Sequence, residues 1–193
     1  MTEKFSGIIL GGGSSRRMGR DKTQLQLQGK TLLEWQVNKL RAAGASEILL
    51  CGVARCDIPK VRCVPDILPR RGPLGGIYTG LLSAEYPDAL ILSADVPLLP
   101  VETLHTLLDL HEADATLLRH GRQTEPLIGV YRCALAPMIQ PLIREHSASV
   151  WALLDQCDWE TVEYKEEEAL LCNCNTPEDF EEAIRIAKRF HIQ

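Results

Sequence analysis

Leu10 closes an apolar run, FSGIIL, and the chain continues GGGSSRRMGRDK to Lys22. A glycine-rich turn after a strand lets successive backbone N–H groups converge on an anion, and phosphate is the usual one. Arg16, Arg17, Arg20 and Lys22 follow, with Asp21 the only acid among them. Arginine forks onto phosphate oxygens in bidentate fashion, and lysine brings a compact point charge. An isolated basic cluster is most often a solvated surface. Beside a glycine-rich turn after the first strand, it reads instead as a phosphate site.

Two further segments carry chemistry. SADVPLLP, residues 93–100, places Asp95 at the end of an apolar strand. Ligands of open α/β sheets bind at such carboxyl ends, and magnesium is held by one or two carboxylates plus substrate phosphates. Asp95 alone reads equally as a turn or cap residue before Pro97; beside the basic loop the metal reading prevails. PDILPRRGPLGGI, residues 65–77, sets Asp66, Arg70, Arg71 and three glycines ahead of a helix. Gly72, Gly75 and Gly76 could let a base or ribose approach the backbone closely, or could simply connect two elements.

These residues need a frame, and the apolar pattern supplies one. Continuous runs at Phe5–Leu10, Glu47–Val53 and Ala89–Ser93 predict strands buried on both faces, with a short one at Val61–Val64. Helical spacing covers Thr31–Ala43, ended by Gly44, then a stretch from after Gly75 to Ala84, and another from Pro100 to Leu110. Asp114–Leu118 and Leu127–Tyr131 predict antiparallel partners around a turn at Gly121. Ala134–Ile143 and a short stretch from Val150 predict helices, and Thr161–Tyr164 an edge strand. The last helix opens with Thr176 as N-cap, Pro177 at N1 and Asp179 at N3. Alternating strands and helices predict an α/β fold with a mainly parallel central sheet, in one domain spanning residues 1–193.

Composition narrows the function. A net charge of −5 over 193 residues argues against a general nucleic-acid binder but leaves room for a small anion at one basic loop. No apolar run is long enough to span a bilayer. The opening MTEKFSGIILGGG lacks a cleavage site, which predicts no secretory signal and a cytoplasmic location. The seven cysteines form no CxxC and predict reduced, mostly buried thiols; Cys51, Cys56 and Cys63 lie closest together but without a histidine for zinc. Five scattered histidines suggest no Ser-His-Asp or Cys-His arrangement.

Two familiar phosphate loops fail here. A Walker A motif ending at Gly29-Lys30-Thr31 would need glycine at position 24, which is Gln24. A dinucleotide fingerprint starting at Gly11 and Gly13 would need glycine where Arg16 stands. A nucleotidyltransferase loop remains, with backbone amides on a triphosphate and basic side chains completing the neutralisation.

LGGGSSRRMGRDK resembles the signature of the molybdenum cofactor guanylyltransferase family, with Gly11 where alanine is usual. GPLGG at 72–76 looks like the family's GPLAG, SADVPLLP its strand-end C-D-x-P segment, and NCNTPEDF at 173–180 its N-x-N-T-P-E ending. The resemblance spans about the whole chain, in the expected order. It implies a three-layer, Rossmann-like nucleotidyltransferase fold, with a nucleotide-binding N-terminal half and a molybdopterin-binding C-terminal half. It implies that Leu10, Gly11 and Gly12 line the nucleotide loop and that Lys22 contacts phosphate. Asp66 then lies in the guanosine site and Asp95 holds Mg2+. Asn173 and Asn175 face molybdopterin. The family's asparagine after the second strand has Cys51 as its nearest position here, a departure, so the resemblance implies no nucleotide contact there.

The implied reaction is transfer of GMP from GTP to the terminal phosphate of molybdopterin, with release of pyrophosphate. Arg17 and Lys22 would offset charge on the α- and β-phosphates, with Asp95 completing the catalytic set. Molybdenum-insertion proteins and apo-molybdoenzymes are the implied partners; nucleic acid and membrane are not. Three other readings stand beside this one. They are a cytidylyltransferase or other small nucleotidyltransferase of the same fold, a non-catalytic adaptor binding GTP and molybdopterin, and a dinucleotide-dependent oxidoreductase. The last needs an acid about twenty residues past the glycines, where only Glu34, inside a helical pattern, stands near.

Overall fold

The computed structural model describes residues 4–11, 25–144 and 149–192. The described chain runs β1 (Ser6–Leu10), β2 (Gln26–Leu27), β3 (Lys30–Thr31), α1 (Leu32–Ala42), β4 (Glu47–Cys51) and β5 (Arg62–Val64). It continues with α2 (Gly72–Ser83), β6 (Asp88–Ser93), α3 (Val101–Asp109), β7 (Ala115–His120) and β8 (Gln123–Arg132). α4 (Ala136–Arg144), α5 (Val150–Leu154), β9 (Trp159–Glu163) and α6 (Pro177–Arg189) complete it.

Among the described residues, seven strands form one sheet in the order β5-β4-β1-β6-β8-β7-β9. Only β8 runs against the others, antiparallel to both β6 and β7. β9 lies parallel to β7 at the edge. The sheet therefore takes strands from both halves of the chain, and the central ones are buried on both faces as their unbroken apolar runs require. Ile9, Leu50, Leu90 and Leu92 pack to one face with α1 and α3. Ile8, Leu49, Ala89 and Ile91 pack to the other with α2, α4 and α5. Three layers result. α6 joins a smaller core with Leu27, Leu32, Trp35 and Leu98, and no described helix is long and apolar enough to cross a membrane.

Local chemistry explains most boundaries. Thr31 caps α1 in a full capping box with Glu34, and Thr176 does the same for α6 with Asp179. β2 and β3 form a two-stranded hairpin that the pattern did not suggest, two residues being too few for periodicity to show. α2 begins at Gly72, earlier than its apolar spacing indicated, because Pro73 is preorganised for a first helical turn. Gly72 and Gly75 are thus inside the helix, with Gly76 and Gly80, rather than ahead of it. A Cβ on Gly76 would stand 3.1 Å from Leu10 Cδ2, and one on Gly80 2.7 Å from Ile8 Cδ1. At these two positions glycine lets the helix lie close on β1. All seven cysteines are free, but only Cys51 and Cys174 are buried; the other five are half-exposed, correcting the expectation of mostly buried thiols.

Candidate active site

Register lines up the strand ends. Leu10 pairs with Cys51 on one side and Ser93 on the other, and Cys51 pairs with Val64. Val64, Cys51, Leu10 and Ser93 therefore form one row across the sheet. Asp66, Gly52, Gly11 and Asp95 leave the sheet just beyond it, at the common carboxyl edge where open α/β sheets bind ligands. The ladder continues one residue past the strands: the Gly11 N–H donates to the Cys51 carbonyl at 3.0 Å, and the Gly52 N–H to the Val64 carbonyl at 2.9 Å. A Cβ on Gly11 would lie 2.7 Å from Leu50 Cδ1 and 3.1 Å from Val53 Cγ2. The space an alanine methyl would take is filled here by those two side chains. Gly12, Arg17 and Lys22 fall outside the described residues, as do Arg16 and Arg20.

Asp95 stands two residues past β6. The Ser93 hydroxyl donates to its Oδ1, and its own carbonyl accepts the Cys174 N–H at 2.8 Å. The next carbonyl, that of Val96, takes two side-chain donors from α1: Gln36 Nε2 at 2.9 Å and Lys39 Nζ at 3.0 Å. Burial pushes the Lys39 amino group down to about 7, with the Cys172 and Cys174 thiols acting the other way.

Asp66 follows β5 on the other side of Gly11. Its Oδ1 is buried and has no hydrogen-bond partner among the described residues, and burial raises its pKa. The segment is pinned beside it, because the Ile67 N–H donates to Thr79 Oγ1 at 3.1 Å and that hydroxyl donates to the Gly75 carbonyl at 2.9 Å. The Cys51 thiol is pushed up to about 12 by burial and then by the Asp66 charge. It stays protonated at neutral pH and is no nucleophile.

Asn173 and Asn175 are exposed on either side of buried Cys174. This alternation points both asparagines away from the core that receives the cysteine. The Asn175 main-chain N–H donates to Asp179 Oδ2 at 3.0 Å, so the motif runs straight into the α6 capping box. Asn173 also lines an open cavity of about 430 Å³ with His120, Gln123, Glu125, Glu168 and Cys172. The hairpin tip reaches this edge because β8 is antiparallel: Leu92 pairs with Ile128, and Glu125 with Leu118.

A family profile for the MobA-like NTP transferase domain matches residues 7–162. The chain belongs to this family. It is 33% identical over 189 residues to a probable molybdenum cofactor guanylyltransferase of Carboxydothermus hydrogenoformans, covering 92% of this chain and 94% of that one. A protein of the same description from Flavobacterium johnsoniae is 31% identical over 180 residues, covering 92% and 95%. The fold is shared with the crystal structure of molybdopterin-guanine dinucleotide biosynthesis protein A from Archaeoglobus fulgidus. The TM-score is 0.77 at 22% identity, covering 96% of this chain and all of that one.

For a MobA-like NTP transferase, the motif reading picked out the strand-end residues but passed over those that hold them. Ser93 lies inside the quoted segment, two residues before Asp95, and a hydroxyl at that spacing was signal enough. Gln36 stands four residues after Leu32 and four before Leu40, inside the buried stripe of α1. A polar residue there must find a partner.

Proposed function

We propose that this MobA-like NTP transferase transfers GMP from GTP to the terminal phosphate of molybdopterin, forming molybdopterin guanine dinucleotide and pyrophosphate. The observation that carries the reading is the row of strand ends, with Asp66 and Asp95 flanking Gly11 and Asp95 tied to the Asn173–Asn175 motif. Full-length similarity to relatives described as molybdenum cofactor guanylyltransferases supplies the substrates.

In this reading an oxygen of the pterin phosphate attacks the α-phosphorus of GTP. The bond from that phosphorus to the bridging oxygen breaks, and its electron pair leaves with pyrophosphate. No protein nucleophile is needed, so the residues act by placement and charge. Leu10, Gly11 and Gly12 cradle the nucleotide. Asp66 Oδ1, buried without a hydrogen-bond partner among the described residues, accepts from N–H or O–H donors of guanosine, which relieves its burial. Arg17 and Lys22 neutralise the α- and β-phosphates. Asn173 and Asn175 orient the acceptor.

Asp95 is the residue to hold Mg2+. Among the described residues no group of three or more His, Cys, Asp or Glu could hold a metal ion. One carboxylate suits a magnesium that arrives with nucleotide phosphates as its other ligands. Bound there, magnesium would neutralise charge on the phosphate oxygens. The N-terminal half then serves nucleotide and the C-terminal half molybdopterin within one domain. The setting is cytoplasmic, with molybdenum-insertion proteins and apo-molybdoenzymes as partners.

The test is pyrophosphate release by purified protein with magnesium and molybdenum-loaded molybdopterin, comparing GTP, CTP, ATP and UTP. GTP is expected to dominate. A preference for CTP would assign the sister cytidylyl transfer. GTP binding without release from any nucleotide would make the protein an adaptor.

A further inference from the structure

Gln36 and Lys39 are buried, 1% and 6% exposed, on the α1 face that packs toward the end of β6. Both donate to one atom, the Val96 carbonyl oxygen, and Lys39 Nζ also reaches Gln36 Oε1 at 3.3 Å. A carbonyl has two lone pairs, so this one is saturated by side chains from a different element. The preceding carbonyl, of Asp95, is held by the Cys174 N–H. The Asp95 carboxylate is held by the Ser93 hydroxyl. The backbone on the C-terminal side of Asp95 is therefore fixed by α1, and its side chain is steadied from β6.

A buried amino group is an expensive way to satisfy one carbonyl, and replacing such groups by apolar ones of similar volume is often neutral or stabilising. The cost is explained if the bond controls the direction of the neighbouring carboxylate. We infer that Gln36 and Lys39 are positioning residues: by clamping the Val96 carbonyl they fix the turn that aims Asp95 at the nucleotide-borne cation. This rests on the reading of Asp95 as the metal-holding residue. Groups that orient a metal's ligands typically change affinity or activity by about 10–100-fold when removed.

The test uses Lys39→Met, which removes one donor together with the buried amino group, Gln36→Leu, which removes the other donor, and Asp95→Asn beside them. Mn2+ binding is measured by electron paramagnetic resonance in the presence of a non-hydrolysable GTP analogue. Melting temperature, kcat, and KM for GTP at saturating magnesium are measured on the same proteins. Lys39→Met is expected to melt at or above the wild-type temperature, to bind Mn2+ about tenfold more weakly, and to lose about tenfold in kcat with KM for GTP unchanged. A merely structural lysine would lower the melting temperature and leave metal affinity alone. Unchanged Mn2+ affinity in folded Lys39→Met overturns the inference. If that variant does not fold, Gln36→Leu decides in the same way, with a several-fold weakening expected and no change overturning it. If Asp95→Asn keeps full Mn2+ binding and turnover, the reading of Asp95 is what fails, and the clamp falls with it. Loss in Asp95→Asn alone leaves that reading standing and removes only the clamp.

Discussion

The main-chain N–H of Cys174 donates to the carbonyl oxygen of Asp95 at 2.8 Å. This single bond brings the segment entering the last helix to the end of β6, and with it the two asparagines that flank Cys174. The Asn173–Asn175 motif and the Asp95 carboxylate are thus parts of one edge. Asn173→Ala and Asn175→Ala are each expected to raise KM for the pterin substrate about tenfold, the worth of one hydrogen bond to a charged group. GTP affinity should not change. The α6 cap uses the Asn175 main chain, which Asn175→Ala retains. Steady-state kinetics with each substrate varied in turn is the check, and equal losses for both substrates would remove the assignment.

Asp66 offers a second prediction, with opposite signs for stability and binding. Burial raises its folded pKa above the ordinary aspartate value of 3.8. The unfolded chain ionises first as pH rises, so wild-type stability falls through the interval up to the folded value, and the penalty persists above it. Asp66→Asn lacks the penalty. It should melt higher than wild type at pH 7, and the difference should vanish in acid below both values. The same substitution should weaken GTP binding by about tenfold, because the acceptor charge is gone. Thermal melts across pH and a nucleotide titration together test it; a variant that binds GTP normally would exclude Asp66 from the site.

Glu47 holds the opposite edge of the sheet. Its Oε1 accepts from Ser6 Oγ and the Glu85 N–H, both at 2.6 Å, and its Oε2 from Arg62 at 2.8 Å. Burial alone would raise its pKa, but the Ser6, Arg62 and Glu85 hydrogen bonds outweigh that and bring it below the ordinary 4.5. Its contribution is therefore complete above pH 4.5 and lost as pH falls through the folded value. Glu47→Ala should cost about 2 kcal/mol in urea unfolding at neutral pH, and much less in acid. KM values should stay those of wild type. A loss that does not shrink in acid would contradict this account.

Gly80→Ala tests how closely α2 lies on the sheet. The added Cβ would meet Ile8 Cδ1 at 2.7 Å, Ile8 Cγ2 at 2.9 Å and Cys51 Sγ at 3.3 Å. Helix propensity favours alanine by about 1 kcal/mol, while overpacking a filled core costs about 1–3 kcal/mol, so the net change is destabilising. Chemical denaturation measures the sign directly. Ile8→Val should recover part of the loss in the double variant, since it removes the methyl that Gly80→Ala strikes first.

Much of the frame was legible before any coordinates. The strands at Phe5–Leu10 and Ala89–Ser93 are continuous apolar runs because their central residues are covered on both faces, and such runs read plainly. The antiparallel pair around Gly121 and the Thr176–Asp179 capping box were legible for a similar reason, since turn and cap chemistry involves residues a few positions apart. Asp66 and Asp95 stood out by their company: alone, Asp95 reads equally as a turn residue before Pro97, and the basic loop and the family motifs tipped the reading. The start of α2 was misplaced, since three glycines look like loop until their helix is seen lying on β1.

What the sequence by itself determined is the set of local elements, the family, and the residue types available for phosphate chemistry. These depend on propensity, periodicity and motif spacing, all carried within short windows. The tertiary structure alone decided which of those residues meet. The order β5-β4-β1-β6-β8-β7-β9 puts Asp66 and Asp95 on either side of Gly11, and no periodicity encodes strand order. Lys39 and Val96 are 57 residues apart in the chain. A lysine one turn from the end of a helix reads as solvated surface, and only the packing of α1 against the end of β6 turns it into a buried donor. Burial is a property of the assembled layers, so the clamp behind Asp95 came into view only with them.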